Sequence, residues 1–221
     1  MALTIRQLAS PNCGPRRNGL TPSLVVLHYT AMQSAEAACA RLCDPSAEVS
    51  AHYLIGRDGA VTQLVPEELR AWHAGAGSWQ GQDDINSRSI GIELDNRGDH
   101  PFAAAQMDAL EALLRGIMAR WPVLPEGVIG HSDMAPGRKC DPGPHFDWAR
   151  LARQGLAGRG HDRSGRHAAD EAGFRAAAVE AGYPGEIPLD TLLEATRLRY
   201  APWRRGPLVR ADLALAHRIA R

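Results

Sequence analysis

Leu24–Tyr29 (LVVLHY) is an almost unbroken apolar run after Thr21-Pro22-Ser23. Such a run predicts a strand buried on both faces. Ala35–Cys43 has the spacing of a helix. Ala51–Ile55 and Val61–Val65 are short apolar runs joined across Arg57-Asp58-Gly59, which predicts a hairpin. Ser89–Leu94 (SIGIEL) alternates as a strand does. Phe102–Arg120 is the clearest helix. Phe102, Leu110, Leu113, Leu114 and Ile117 recur at spacings of three and four, with Gln106 the polar exception. Pro101 suits its first turn, and Trp121-Pro122 ends it. Gly127–Gly130 predicts a fourth short strand leading into His131. Strands mixed with helices indicate an α/β domain.

The pattern changes near residue 155. Gly155–Gly165 (GLAGRGHDRSG) is rich in Gly and Arg and has no periodicity, so it reads as a linker. Beyond it, Ala168–Ala181, Leu189–Tyr200 and Arg210–Arg221 look like three short helices. The expected organisation is a domain over 1–155, a linker over 156–167 and a small helical domain over 168–221. No internal repeat is visible.

Composition narrows the classes. The 221 residues hold 25 basic and 25 acidic side chains, which argues against capture of nucleic acid by charge. Residues 1–155 hold 14 basic and 17 acidic (net −3), and residues 156–221 hold 11 and 8 (net +3). Of the basic residues 24 are Arg, and Lys139 is the one Lys. No run reaches the roughly 20 apolar residues of a membrane span. The N-terminal residues lack the apolar core of a signal peptide, so the expected compartment is the cytoplasm, with Cys13, Cys39, Cys43 and Cys140 as free thiols.

His28, Glu93 and His131 fall at or near the ends of predicted strands. Strand ends are where α/β sheets gather ligand and catalytic groups. Taken singly, a histidine in an apolar strand reads as a core residue; three such placements, one acidic, favour a site. Two histidines and a carboxylate can hold a catalytic zinc ion and leave a fourth position for water. A nearby carboxylate can move the water's proton, and a cation can stabilise an oxyanion. His28, His131 and Asp141 would then be ligands, Glu93 the base and Lys139 the cation. The residues alone carry the reading as far as a zinc hydrolase.

Five segments go further. They are LVVLHY (24–29), VSAHYLI (49–55), AWHAG (71–75), SIGIEL (89–94) and GHSDMAPGRKCDPGPHFDW (130–148). In this order they resemble the zinc-dependent N-acetylmuramoyl-L-alanine amidases of the amidase-2 type, relatives of the peptidoglycan-recognition proteins. The resemblance covers about residues 10–155. It implies a central mixed β-sheet flanked by helices, with one Zn2+ per chain in a groove. It implies His28, His131 and Asp141 as metal ligands and Glu93 and Lys139 as catalytic residues. The implied reaction hydrolyses the amide between (1,6-anhydro-)N-acetylmuramic acid and L-Ala of the stem peptide, in peptidoglycan turnover and recycling. The alternative is a module that recognises muropeptides without cutting them, but such relatives typically lose a zinc ligand and none is missing here. The partner is a muropeptide, with neither nucleic acid nor membrane involved.

Tyr29, His52, His73, Trp79, Arg88 and Arg138 are further candidates for substrate contact. His52 also reads as structural, and His73 as lining the groove or holding its loop. Trp79, Asn86 and Arg88 sit in a polar loop that could bind sugar or a peptide carboxylate, though a solvated loop is the more conservative reading. Arg138 could pair with a stem-peptide carboxylate, with Asp133 or with Asp147. The C-terminal segment weakly resembles a three-helix peptidoglycan-binding module in degenerate form.

Overall fold

The computed structural model describes residues 3–160 and 170–216. Eight strands and seven α-helices follow one another as β1 (Ile5–Gln7), β2 (Cys13–Pro15), β3 (Leu24–Tyr29), α1 (Ala35–Cys43), β4 (Tyr53–Ile55), β5 (Val61–Gln63), β6 (Leu69–Ala71), α2 (Ile85–Arg88), β7 (Ser89–Leu94), α3 (Ala104–Arg120), β8 (Val128–Gly130), α4 (His131–Met134), α5 (Trp148–Arg153), α6 (Glu171–Ala181) and α7 (Leu189–Tyr200). Six strands form one sheet in the order β1-β5-β4-β7-β3-β8, and β2 pairs with β6 in a separate antiparallel ribbon. The sheet is mixed: β4 and β5 are antiparallel, while β4, β7, β3 and β8 run parallel. The expected fold class is therefore the observed one.

The apolar run of β3 has its reason in the layers on either side. Val25 and Leu27 point into one buried cluster with α3, and Leu24 and Val26 point into a second with α6 and α7. β8 divides in the same way, with Val128 on the first side and Ile129 on the second. A strand covered on both faces has no polar face to show. The second cover is C-terminal: Phe174, Ala177, Ala178 and Leu192 are wholly buried there.

The hairpin closes as expected. Gly56 N–H donates to the Ala60 carbonyl (2.9 Å). Gly59 has φ +85°, and a Cβ there would meet the Ala105 carbonyl at 2.7 Å, so this turn needs glycine on two counts. Gln106, the polar exception on α3, is fully buried and donates Nε2–H to the Ile55 carbonyl (2.8 Å). The same amide donates to the Asp95 carbonyl as well (3.3 Å), so Gln106 ties α3 to the ends of β4 and β7.

α3 starts at Ala104 rather than Phe102, because Phe102 turns away to pack edge-on against Phe146. α6 begins where Asp170 caps it by accepting from Gly173 N–H (2.8 Å). Of the helix expected over Arg210–Arg221, the described part is corrected: Arg210–Leu213 form a short 3-10 turn, residues 214–216 are not helical, and 217–221 lie outside the described residues. Asp212 caps the start of this turn by accepting from Val209 N–H (2.9 Å), and Arg197 and Arg204 hold its carboxylate. Of the expected linker, Leu156 and Ala157 are buried in the first cluster, and 161–167 lie outside the described residues. All four cysteines are free thiols. Among the described residues, no helix is long and apolar enough to cross a membrane.

Candidate metal centre

Adjacent parallel strands deliver the polar residues to one end of the sheet. His28 lies opposite Glu93 in the β3–β7 register, and Leu27 opposite Gly130 in β3–β8. His131 therefore follows the end of β8 directly beside His28. Asp141 returns on the next loop, where its carbonyl accepts from Ser132 N–H (2.9 Å).

Three donor atoms meet there. His28 Nδ1 stands 3.0 Å from His131 Nδ1 and 2.9 Å from Asp141 Oδ2, and His131 Nδ1 is 3.1 Å from the same oxygen. The hydrogen bonds behind them fix which atoms carry protons. His131 Nε2 faces the Ala74 carbonyl at 2.9 Å, so it must donate, and Nδ1 is bare. Ser89 Oγ gives its own proton to the Ile85 carbonyl (2.6 Å), so it accepts from His73 Nε2–H (3.2 Å). His73 Nδ1 is then bare and accepts from His28 Nε2–H (3.1 Å), which leaves His28 Nδ1 bare as well. Burial, and then His131 beside it, push the His28 imidazole down to about 4, so it is neutral at pH 7.

Three lone-pair atoms thus converge with no proton between them, which is repulsive unless a cation sits among them. Their spacing suits the purpose, since donors on a tetrahedral zinc ion stand roughly 3.3 Å apart. Among the described residues this is the one cluster of three His, Cys, Asp or Glu donors drawn within 4.8 Å. The donor set fits a metal ion.

His28, His131 and Asp141 line a cavity of about 380 Å3 together with Glu93, Lys139, Tyr29 and His73. Glu93 Oε2 is buried with no hydrogen-bond partner. Burial, then the charge of Asp141, push its carboxyl up to about 8 against the opposing pull of Lys139. A carboxyl held this way can both take and return a proton near neutral pH. Tyr29 hydroxyl lies 3.1 Å from Cys140 Sγ at the rim.

The other candidates are placed differently. His52 is wholly buried: it accepts from Gly91 N–H (3.0 Å) and donates to the Leu69 carbonyl (3.0 Å), a structural role. Its neighbour Tyr53 is buried too, with its hydroxyl on Glu67 (2.8 Å). Trp79 packs edge-on against Tyr183 and is 3% exposed. Trp79 and Arg88 border a separate cavity of about 140 Å3 that shares no residue with the first. Arg88 donates to the Asp83 carbonyl (3.0 Å). The structure brings neither to the donor cluster. Arg138 pairs with neither Asp133 nor Asp147; its guanidinium donates to the carbonyls of Ala74 (2.7 Å) and Ala76, fixing the loop that also receives His131.

Sequence reasoning missed Ser89 as the end of the histidine chain. It also missed Arg16, which ties the carbonyls of Asn86, Ser87 and Ser89 together. An Arg inside Pro-Arg-Arg-Asn gives no signal of such a role.

The N-acetylmuramoyl-L-alanine amidase family matches residues 18–144, a span that includes the whole donor set. The chain belongs to this family. N-acetylmuramoyl-L-alanine amidase AmiD of Escherichia coli (strain K12) is 43% identical over 149 residues, 60% of this chain and 53% of its own length. The 1,6-anhydro-N-acetylmuramyl-L-alanine amidase AmpD of Citrobacter freundii is 39% identical over 163 residues, 66% of this chain and 87% of its own. A solved structure of E. coli AmiD, in complex with the substrate anhydro-N-acetylmuramic acid-L-Ala-D-gamma-Glu-L-Lys, superposes with a TM-score of 0.78 at 33% identity. It covers 90% of this chain and 89% of that one.

Proposed function

We propose that the protein is a zinc-dependent N-acetylmuramoyl-L-alanine amidase acting on 1,6-anhydro-muropeptides. The observation that carries the reading is the convergence of three bare donor atoms, His28 Nδ1, His131 Nδ1 and Asp141 Oδ2, in one cavity with Glu93 and Lys139. The substrate class is extended to this chain from its relatives: one is named for the 1,6-anhydro sugar, and another holds an anhydro-muramoyl tripeptide.

His28, His131 and Asp141 would hold the ion. When bound, zinc supplies Lewis acidity and a water of lowered pKa. The chain's own residues supply the rest. Glu93 takes a proton from the attacking water at its unpartnered oxygen and returns it to the departing L-Ala nitrogen. Lys139 presents its ammonium to the negative charge growing on the lactyl carbonyl oxygen. The same charge attracts Glu93 and keeps its carboxyl from rising further. His73 and Ala74 hold the two imidazoles with their bare nitrogens facing inward.

The test is mass spectrometry of products from a defined anhydro-muramoyl tripeptide. Free tripeptide and anhydro-N-acetylmuramic acid should appear with zinc, vanish with chelator and return on zinc addition. Substrate recovered intact after tight binding to zinc-loaded protein would instead support the recognition reading.

A further inference from the structure

α4 carries His131 yet spans four residues, too few to hold itself in place. Its support is Asp133, which is fully buried. The Asp133 carboxylate accepts from Gly130 N–H (2.8 Å) at the mouth of the helix, from the Tyr183 hydroxyl and from Arg199 Nη1 (2.7 Å). Arg199 is 5% exposed. It also donates to the Val128 carbonyl on β8 (3.1 Å) and lies over the Trp148 ring at 4.2 Å. Tyr183 comes from the turn between α6 and α7, and Arg199 from α7. A buried ion pair adds little net stability over apolar residues of the same shape; what it does supply is direction. Here the direction is imposed on the short helix that starts with His131, and through the Ser132–Asp141 backbone bond it extends to the third donor. The same helices close on both flanking loops. Gly182 carbonyl accepts from Gln80 N–H (2.8 Å), and Thr191 stands where a Cβ on Gly137 would fall.

We propose that Tyr183 and Arg199 are positioning residues for the metal-ligand helix. Acting through Asp133 they set His131, which makes the C-terminal helices part of the hydrolytic centre. The inference rests on the reading of His131 as a metal ligand.

The experiment compares zinc affinity, measured by chelator competition, with turnover in the full chain. Tyr183→Phe keeps the ring against Trp79 and removes one hydrogen bond to Asp133. It should weaken zinc binding about tenfold, the scale at which outer partners of ligands act, and lower kcat with KM unchanged. Arg199→Lys should retain more affinity than Arg199→Met. Phe174→Leu loosens the same helices without touching Asp133; it should lower Tm but leave zinc affinity within about twofold. Unchanged affinity and kcat in a folded Tyr183→Phe protein would overturn the proposal, as would equal affinity losses in Tyr183→Phe and Phe174→Leu at matched Tm. Failure of the unmodified chain to bind zinc would overturn the metal reading itself, and is distinguishable because it needs no variant.

Discussion

His73 Nδ1 lies 3.1 Å from His28 Nε2, and the only proton that can occupy this gap belongs to His28. The reason is two hydrogen bonds further on, where Ser89 spends its hydroxyl proton on the Ile85 carbonyl and must accept from His73. A tautomer at a donor cluster is thus decided by a main-chain carbonyl in α2. His73→Phe should keep the fold, free the His28 ring and weaken zinc binding by roughly 10- to 100-fold in chelator competition. Affinity equal to the unmodified protein would remove His73 from this role.

Gly91 gives an independent check on the same contact. A Cβ at that position would fall 2.4 Å from the His73 ring. Gly91→Ala therefore pushes the ring off its partner without changing any polar group. The expected result is loss of zinc affinity in the same direction as His73→Phe, with secondary structure by circular dichroism unchanged.

Strands covered on both faces were readable because an apolar run of six leaves little choice, and β3 and β7 fall where the pattern puts them. The donors His28, His131 and Asp141 were named through a motif resemblance, and the structure gathers those three. β1, β2 and β6 are as short as β4, β5 and β8 but lie mostly at the surface, so no apolar run marks them. Trp79 and Arg88 lie apart from the donor cluster, and the sequence carries no sign of that. A polar loop looks the same in sequence whether it faces a groove or folds under a neighbouring helix, and here Tyr183, about a hundred residues away, decides. The Asp133–Arg199 pair was invisible for the same reason: sequence separation hides who neutralises a buried charge.

Glu93→Gln should leave zinc binding intact and lower kcat by roughly 10²-fold or more, the scale of a lost proton-transfer group. The side chain is nearly isosteric and its oxygen has no hydrogen-bond partner to lose. A stability change in urea would therefore be small, and kcat would carry the effect. Turnover within threefold of the unmodified enzyme would exclude Glu93 as the proton carrier.

Glu67 gives a pH dependence of stability away from the donor cluster. Burial opposes its charge, but hydrogen bonds from Arg120, Trp121 and Tyr53 outweigh burial and hold the carboxyl below its ordinary value. A depressed carboxyl stabilises the fold above the unfolded-state pKa and loses that contribution as pH falls through the folded-state value. Glu67→Gln should cost about 2 kcal/mol at pH 7 in urea unfolding. The gap between the two proteins should shrink steadily below pH 4.5. A gap that is constant with pH would show that packing, not charge, is what Glu67 contributes.

Lys139 is the one lysine in a chain with 24 arginines, so a generic surface cation here would be expected to be Arg. Its backbone N–H continues from α4 by donating to the Ala135 carbonyl (3.1 Å), which anchors the residue two positions before Asp141. From there its side chain borders the cavity with Glu93 and the donor cluster. An ammonium is a compact point charge, whereas a guanidinium is a broad planar fork that needs room on two sides. Arg138, next in the chain, shows what a guanidinium does in this neighbourhood: it binds two carbonyls and fixes a loop. Lys139→Arg keeps the charge and should keep zinc binding, because no donor atom changes. It should still lose most of kcat, at least tenfold, since the cation can no longer reach the carbonyl oxygen at the right distance. Near-normal turnover in Lys139→Arg would mean that only the sign of the charge matters there, and that the lone lysine is an accident of composition.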